Sequence, residues 1–223
     1  MIQTVSQRYQ GSCMMVMRHT GSEVVFLASA FLVHPEGYLL TASRMIDSEA
    51  GLVVVPPQAA EEFVPVTRDE VAPVPVEVVS RDTVHDVALL KLTPDLEINM
   101  PEHVLGASDT DPRGALLMSL GVPYGYYRMH SVVAAQSVLS SRLQSRVGTN
   151  MIIFDRRVQS GDIGGPLISV ASGMVIGLVG GVFDPVELEN ISIPSGSAPI
   201  NSDLSYATAI EYGDALLTAA LDN

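Results

Sequence analysis

The stretch Gln159–Ser169, QSGDIGGPLIS, decides how the rest of the chain is read. Polar residues and glycines give way at Pro166 to an apolar run that continues through VASGMVIGLVGGV, so a tight turn opens into strand. Gly164 and Gly165 mark a backbone shape that side chains would obstruct. Between Asp162 and Gly164 stands Ile163, which carries no heteroatom. Outward from this turn the same pattern repeats. CMMVMRH, EVVFLASAFLVH, YLLTAS, LVVVPP, VPVEVVS, DVALLKL, GALLMSLGVP, HSVVAAQSVLSS, NMIIFD and YATAI are short β-rich runs, punctuated by turns such as HPEGY, SDTDPRG and VGTN. Many short strands at this spacing predict an all-β barrel or sandwich.

Only the end reads as helix. In EYGDALLTAALDN, residues Leu216, Leu217, Ala220 and Leu221 share one face and Asp214 lies near the start, which predicts a terminal helix over about 214–222. Residues 184–203 are rich in Ser, Pro, Asn and Asp and read as a long loop.

Composition sets bounds. The chain has 223 residues, 47% hydrophobic and 17% charged, enough for one large domain or two lobes around a packed core. The formal net charge of -13 argues against a nucleic-acid partner, since a phosphate backbone is repelled by such a surface. The single cysteine, Cys13, allows no internal disulfide and sits in an apolar run as a small buried hydrophobe. The N-terminus shows no signal-peptide pattern and no apolar run reaches membrane-spanning length. The expected location is cytoplasmic if this N-terminus is native, and periplasmic or extracellular if a signal was removed. No cofactor is expected, and His19, His34, His103 and His130 have no spacing that suggests a shared metal.

Three stretches carry a family resemblance. GYLLTASRMID (Gly37–Asp47) resembles the segment that delivers the histidine of trypsin-like proteases. VSRDTVHDVALLKL (Val79–Leu92) resembles the segment of the aspartate, and SGDIGGPLIS resembles the serine turn. They follow in the family's order. GVPYGYYRMHSVVAAQSVLSS and the closing SYATAIEYGDALLTAAL are similar to the HtrA/Deg branch, so the resemblance runs from about residue 11 to 221. It stops where that branch carries its PDZ domain, and the chain is expected to be without one. The resemblance implies two antiparallel β-barrels of six-stranded type, the first over about 1–97 and the second over about 98–213, followed by the terminal helix.

The family's chemistry carries over only in part. Its serine hydroxyl attacks a carbonyl, its imidazole takes the proton, and its carboxylate orients the imidazole. The resemblance sets Ile163 at the serine position and Arg44 at the histidine position, and retains the carboxylate as Asp86. An isoleucine cannot attack, and an arginine stays protonated and cannot act as base. Gly161, Asp162, Ile163 and Gly164 remain as the oxyanion turn, where the amides of Gly161 and Ile163 would be the donors. Ser160, Ser43 and His85 flank the lost positions, but a rewired site requires nucleophile and base within hydrogen-bond reach. His85 neighbours Asp86 and is expected to point to the other face of a strand, toward the surface. The guanidinium of Arg44 suits the carboxylate of Asp86, which predicts an ion pair between the barrels' edges. The implied function is a pseudoprotease acting as a scaffolding, regulatory or protein-binding subunit of a larger complex. The alternatives are a peptide-binding module using the old cleft, or an enzyme with a rewired or metal-assisted site.

Overall fold

Apolar residues come in consecutive pairs within these strands, and the pairs explain the architecture. Leu39 and Leu40, Leu89 and Leu90, Leu117 and Met118, and Leu167 and Ile168 are all buried. Neighbours on a strand face opposite sides, so both faces of these strands are covered. One member of each pair fills a barrel. Leu39 and Leu90 join Val16, Ala28, Ala30 and Val54 in the first, and Leu117 and Leu167 join Leu139, Ile152 and Phe154 in the second. The other members, Leu40, Leu89, Met118 and Ile168, meet Phe31, Leu120 and Leu178 in a core between the barrels.

The structure, a computed structural model, describes every residue except 10, 22, 58–62, 64, 68, 69, 102, 190–200 and 223. The first barrel contains β1 (Cys13–Thr20), β2 (Glu23–His34), β3 (Tyr38–Thr41), β4 (Leu52–Val55), β5 (Val74–Asp82) and β6 (Val87–Leu92). They close in the order β1-β2-β3-β6-β5-β4. The second contains β7 (Leu116–Gly121), β8 (Val133–Gln144), β9 (Asn150–Phe154), β10 (Pro166–Ser169), β11 (Val175–Val182) and β12 (Ser205–Ala209), closed as β10-β11-β12-β9-β8-β7. The strand ladders are antiparallel. Closure leaves no open sheet edge around either barrel. The fold is thus the expected pair of six-stranded barrels with a terminal helix.

The helices differ from expectation in three places. The N-terminal residues form α1 (Ile2–Tyr9), although IQTVSQRY is too polar and short to announce a helix. It is held by packing: Val5 and Tyr9 are buried, and the Tyr9 hydroxyl donates to the carbonyl of Gly173 at 2.9 Å. Burial there pushes the phenol of Tyr9 up to about 12, against the pull of Arg8. Within the expected 184–203 loop, Pro185–Glu189 form the short α2, with Asp184 accepting the N–H of Val186 at 2.8 Å; residues 190–200 lie outside the described ones. The last helix, α3 (Glu211–Leu221), starts earlier than 214 and packs against β5 and β6 of the first barrel. Leu217 is buried, and Leu221, one turn on, is exposed.

Candidate functional site

The three positions singled out in the sequence converge at the cleft between the barrels. β3 ends in a 3-10 turn, Ser43–Met45, which presents Arg44. The β5–β6 turn presents Asp86 from a left-handed backbone, φ 60°. A 3-10 turn at Ser160–Asp162 leads into Ile163, and then β10 begins.

The backbone N–H of Arg44 donates to Asp86 Oδ1 at 2.8 Å, and its guanidinium Nη1 pairs with Oδ2. The expected ion pair therefore exists, but it joins two parts of the first barrel and not the edges of both. The contact across the cleft is a different one: Nη2 of Arg44 donates to the carbonyl oxygen of Gly180 on β11. A Cβ built on the next residue, Gly181, would stand 3.7 Å from Arg44 Nη2 and 4.0 Å from Ile163 Cδ1, so guanidinium and isoleucine share this end of the cleft. Gly180 and Gly181 are buried beneath them. Tyr206 of β12 closes the floor, its ring occupying the space a Cβ on Gly180 would need.

Side-chain exposure is 42% for Arg44 and 22% for Asp86, so water screens the pair. Arg44→Ala is accordingly expected to cost about 1–2 kcal/mol, an exposed ion pair plus one net hydrogen bond, and not the cost of a buried pair. Arg44→Met keeps the apolar stem and is expected to cost about half as much. The shift in urea midpoint at constant m-value measures both.

The turn expected to be an oxyanion remnant is bent on itself at Ile163. The amide of Ile163 donates to the carbonyl of Ser160 at 3.4 Å and that of Asp162 to Gln159 at 3.0 Å, so the amide expected to face a ligand is turned into the 3-10 bend. The turn is locked to the first barrel through β2. Ser29 N–H donates to the carbonyl of Ile163 at 2.9 Å, and Ser29 Oγ donates to the carbonyl of Gly161 at 2.8 Å while accepting Val122 N–H at 2.9 Å. On the other side Gly164 N–H donates to Val179 at 2.9 Å and Val179 N–H to Gly165 at 2.8 Å.

Asp162 does not face the cleft. It is 1% exposed and pairs with Arg156, Nη2 to Oδ2 at 3.0 Å. Oδ2 also accepts the N–H of Gln159 at 2.9 Å, and Arg156 Nη1 donates to Ser119 Oγ at 2.6 Å. Burial pushes the carboxyl of Asp162 up, and the guanidinium pulls it back only in part.

Of the flanking residues, Ser43 is buried and Ser160 exposed. His85 lies in the β5–β6 turn and not on a strand, and it is tied down: its Nδ1 is 2.6 Å from Asp82 Oδ2 and its ring stacks on Tyr212. Cys13 is fully buried, and burial pushes its thiol up. Among the described residues no group of three or more His, Cys, Asp or Glu is placed to hold a metal ion. Sequence reading missed Gly180, Ser29, Arg156 and Tyr206. Gly180 and Ser29 act through backbone or hydroxyl groups that any strand residue resembles. Arg156 stands six residues before Asp162, a spacing that signals nothing by itself.

Known proteins share the fold of this chain. The trypsin-like peptidase domain family matches the chain over residues 28–178. A probable periplasmic serine endoprotease DegP-like of Pseudomonas savastanoi pv. phaseolicola is 28% identical over 164 residues, covering 72% of this chain and 30% of that protein. The magnetosome formation protease MamE of Magnetospirillum gryphiswaldense is 28% identical over 114 residues, covering 49% of this chain and 14% of that one. Among solved structures, the HtrA-type protease AlgW with decapeptide superposes with TM-score 0.72 at 18% identity, covering 100% of this chain and 68% of that one. The same protease with tripeptide gives 0.68 at 22%, covering 98% and 63%. The chain spans about 30% of the length of the DegP-like relatives it matches. Among the described residues, no helix is long and apolar enough to cross a membrane.

Proposed function

The chain belongs to the trypsin-like peptidase domain family, and on that footing we propose that it is a non-cleaving member whose work is to bind protein, as a scaffolding or regulatory subunit. One observation carries the reading: Arg44, Asp86 and Ile163 stand together at the cleft, and in this reading Ile163 and Arg44 occupy the family's serine and histidine positions. Acyl transfer requires a nucleophile and a base, and these side chains are neither. Two further features support it. The guanidinium of Arg44 lies on the carbonyl of Gly180, and the amide of Ile163 is bent into its own turn. In this reading the substitutions fill the cleft and brace it. The DegP-like relatives carry the word periplasmic in their names, which favours that compartment for this chain also.

The second reading is a peptide-binding module. It is favoured by the structural neighbour AlgW, which was solved with a tripeptide and a decapeptide. In this chain such a peptide would first have to displace Arg44 from Gly180.

Incubation with unfolded casein and a fluorophosphonate probe is expected to give neither cleavage nor labelling, in the parent and in Ile163→Ser alike, because Arg44 accepts no proton. Specific labelling of the parent at Ser160 or Ser43 would overturn the proposal in favour of a rewired site.

A further inference from the structure

Asp86 aims its carboxylate at Arg44 from a φ of 60°, a region non-glycine residues seldom hold without support. Asp82 supplies part of that support. Its Oδ1 accepts the N–H groups of Val84 at 3.1 Å and His85 at 2.9 Å, and its Oδ2 meets His85 Nδ1 at 2.6 Å. Burial opposes the charge of Asp82, but the hydrogen bonds and charge of His85 prevail and hold its carboxyl below the usual value. The imidazole then lies flat on Tyr212, centroids 3.8 Å apart and planes 11° apart. Tyr212 is fixed in turn by the β8–β9 bend of the second barrel: its hydroxyl accepts Asn150 N–H at 3.0 Å and donates to Gly148 at 3.2 Å. The contacts form a circuit from the second barrel through Tyr212, His85, Asp86 and Arg44, and back to the second barrel at Gly180.

We propose that His85 is the positioning residue of the cleft latch: wedged between Asp82 and Tyr212, it fixes the turn that aims Asp86 at Arg44 and so keeps the guanidinium on Gly180. The latch is then set by the seating of α3 as well as by the cleft, and a partner that shifts Tyr212 opens the cleft from outside it. This rests on the reading of the cleft as a closed, non-cutting surface and adds how it is controlled.

The test uses Ile163→Cys as a reporter, because Cys13 is buried and its thiol is pushed up, leaving one reactive thiol. The rate of iodoacetamide alkylation reads cleft opening. His85→Ala is expected to raise it about five- to tenfold, the ratio that follows from losing one net hydrogen bond of closure. Asp82→Asn, which breaks the same support from the other side, is expected to act likewise. Neither is expected to raise it further once Arg44→Met has opened the latch, with circular dichroism confirming the fold throughout. Equal acceleration in both Arg44 backgrounds, or none in either, would overturn the proposal. Casein cleavage plays no part in this readout, so failure of the latch and failure of the non-cleaving reading give different results.

Discussion

Arg156→Met is expected to lower the unfolding free energy by about 3–5 kcal/mol, the cost of leaving a buried charge without its partner. For a chain of this length that is a fall in Tm on the order of 10 °C. The side chain of Arg156 is 16% exposed and that of Asp162 1%, so water replaces the lost guanidinium poorly. Among the described residues Asp162 Oδ1 has no hydrogen-bond partner; it is packed against Gly121, where a built Cβ would stand 2.5 Å away. The pH dependence has a definite sign. The folded carboxyl of Asp162 is already raised above its unfolded value, so the stability it contributes is full below about 4 and is lost as pH rises through the folded value. Removing Arg156 leaves only the Gln159 N–H to lower it, so the carboxyl rises further. The deficit of Arg156→Met relative to the parent is therefore expected to be smallest in acid and to grow toward neutral pH. Adding Asp162→Asn removes the buried charge and is expected to restore part of the loss. Urea melts at pH 4 and pH 7 check the sign, and a deficit that shrinks toward neutral pH would refute it.

Gly164→Ala is expected to be comparably damaging for a geometric reason. Gly164 has φ +87°, and a Cβ there would stand 2.2 Å from the carbonyl oxygen of Ser29 and 2.5 Å from Thr41 Oγ1. Both belong to the first barrel, and they are tied to each other, Thr41 Oγ1 donating to Ser29 at 2.7 Å. The neighbour that would have to move is backbone, held in turn by Ser29 N–H on Ile163. Gly114 offers the control. Its φ is +88°, but a Cβ there meets nothing within 4 Å. Gly114→Ala is expected to cost only the backbone term, about 1–2 kcal/mol. Gly164→Ala adds overpacking of about 1–3 kcal/mol or more and the loosening of the inter-barrel bonds. Equal urea midpoints for the two variants would show that the barrels yield at this seam.

The same seam shows what a sequence makes legible. The glycines of QSGDIGGPLIS mark a turn whose backbone side chains would obstruct, and the apolar runs between Gly, Pro, Asn and Asp mark short strands. Such signals are local and repeat, so the short strands of a barrel or sandwich are legible, while the division into two barrels came with the family resemblance. Arg44 and Asp86 could be paired because a guanidinium and a carboxylate suit each other and a family resemblance put them together. What escaped depends on distant parts of the fold. α1 owes its existence to Tyr9 finding Val104 and Gly173, and no property of IQTVSQRY encodes that. α2 escaped because the Ser, Pro, Asn and Asp content of residues 184–203 reads as loop throughout. Alternation puts His85 on a strand face, but its segment is a turn, where alternation does not hold. The direction of the Ile163 amide is hidden in the sequence, because backbone direction in a glycine-rich turn is set by neighbours such as Ser29, which the residue letters do not show.

The ends of the chain are exchanged. α1 precedes the first barrel but docks by Tyr9 and Val5 on the β10–β11 bend of the second. α3 follows the second barrel but docks on the first, with Gly213 pressed on Leu40 and Tyr212 stacked on His85. During synthesis the first barrel leaves the ribosome long before the helix that covers Leu40 has been made. Its outer wall stays uncovered while the second barrel is still being translated, and neither lobe completes its packing ahead of the other. Such late, sequence-distant closure slows folding and prolongs exposure of apolar surface to chaperones and to other nascent chains.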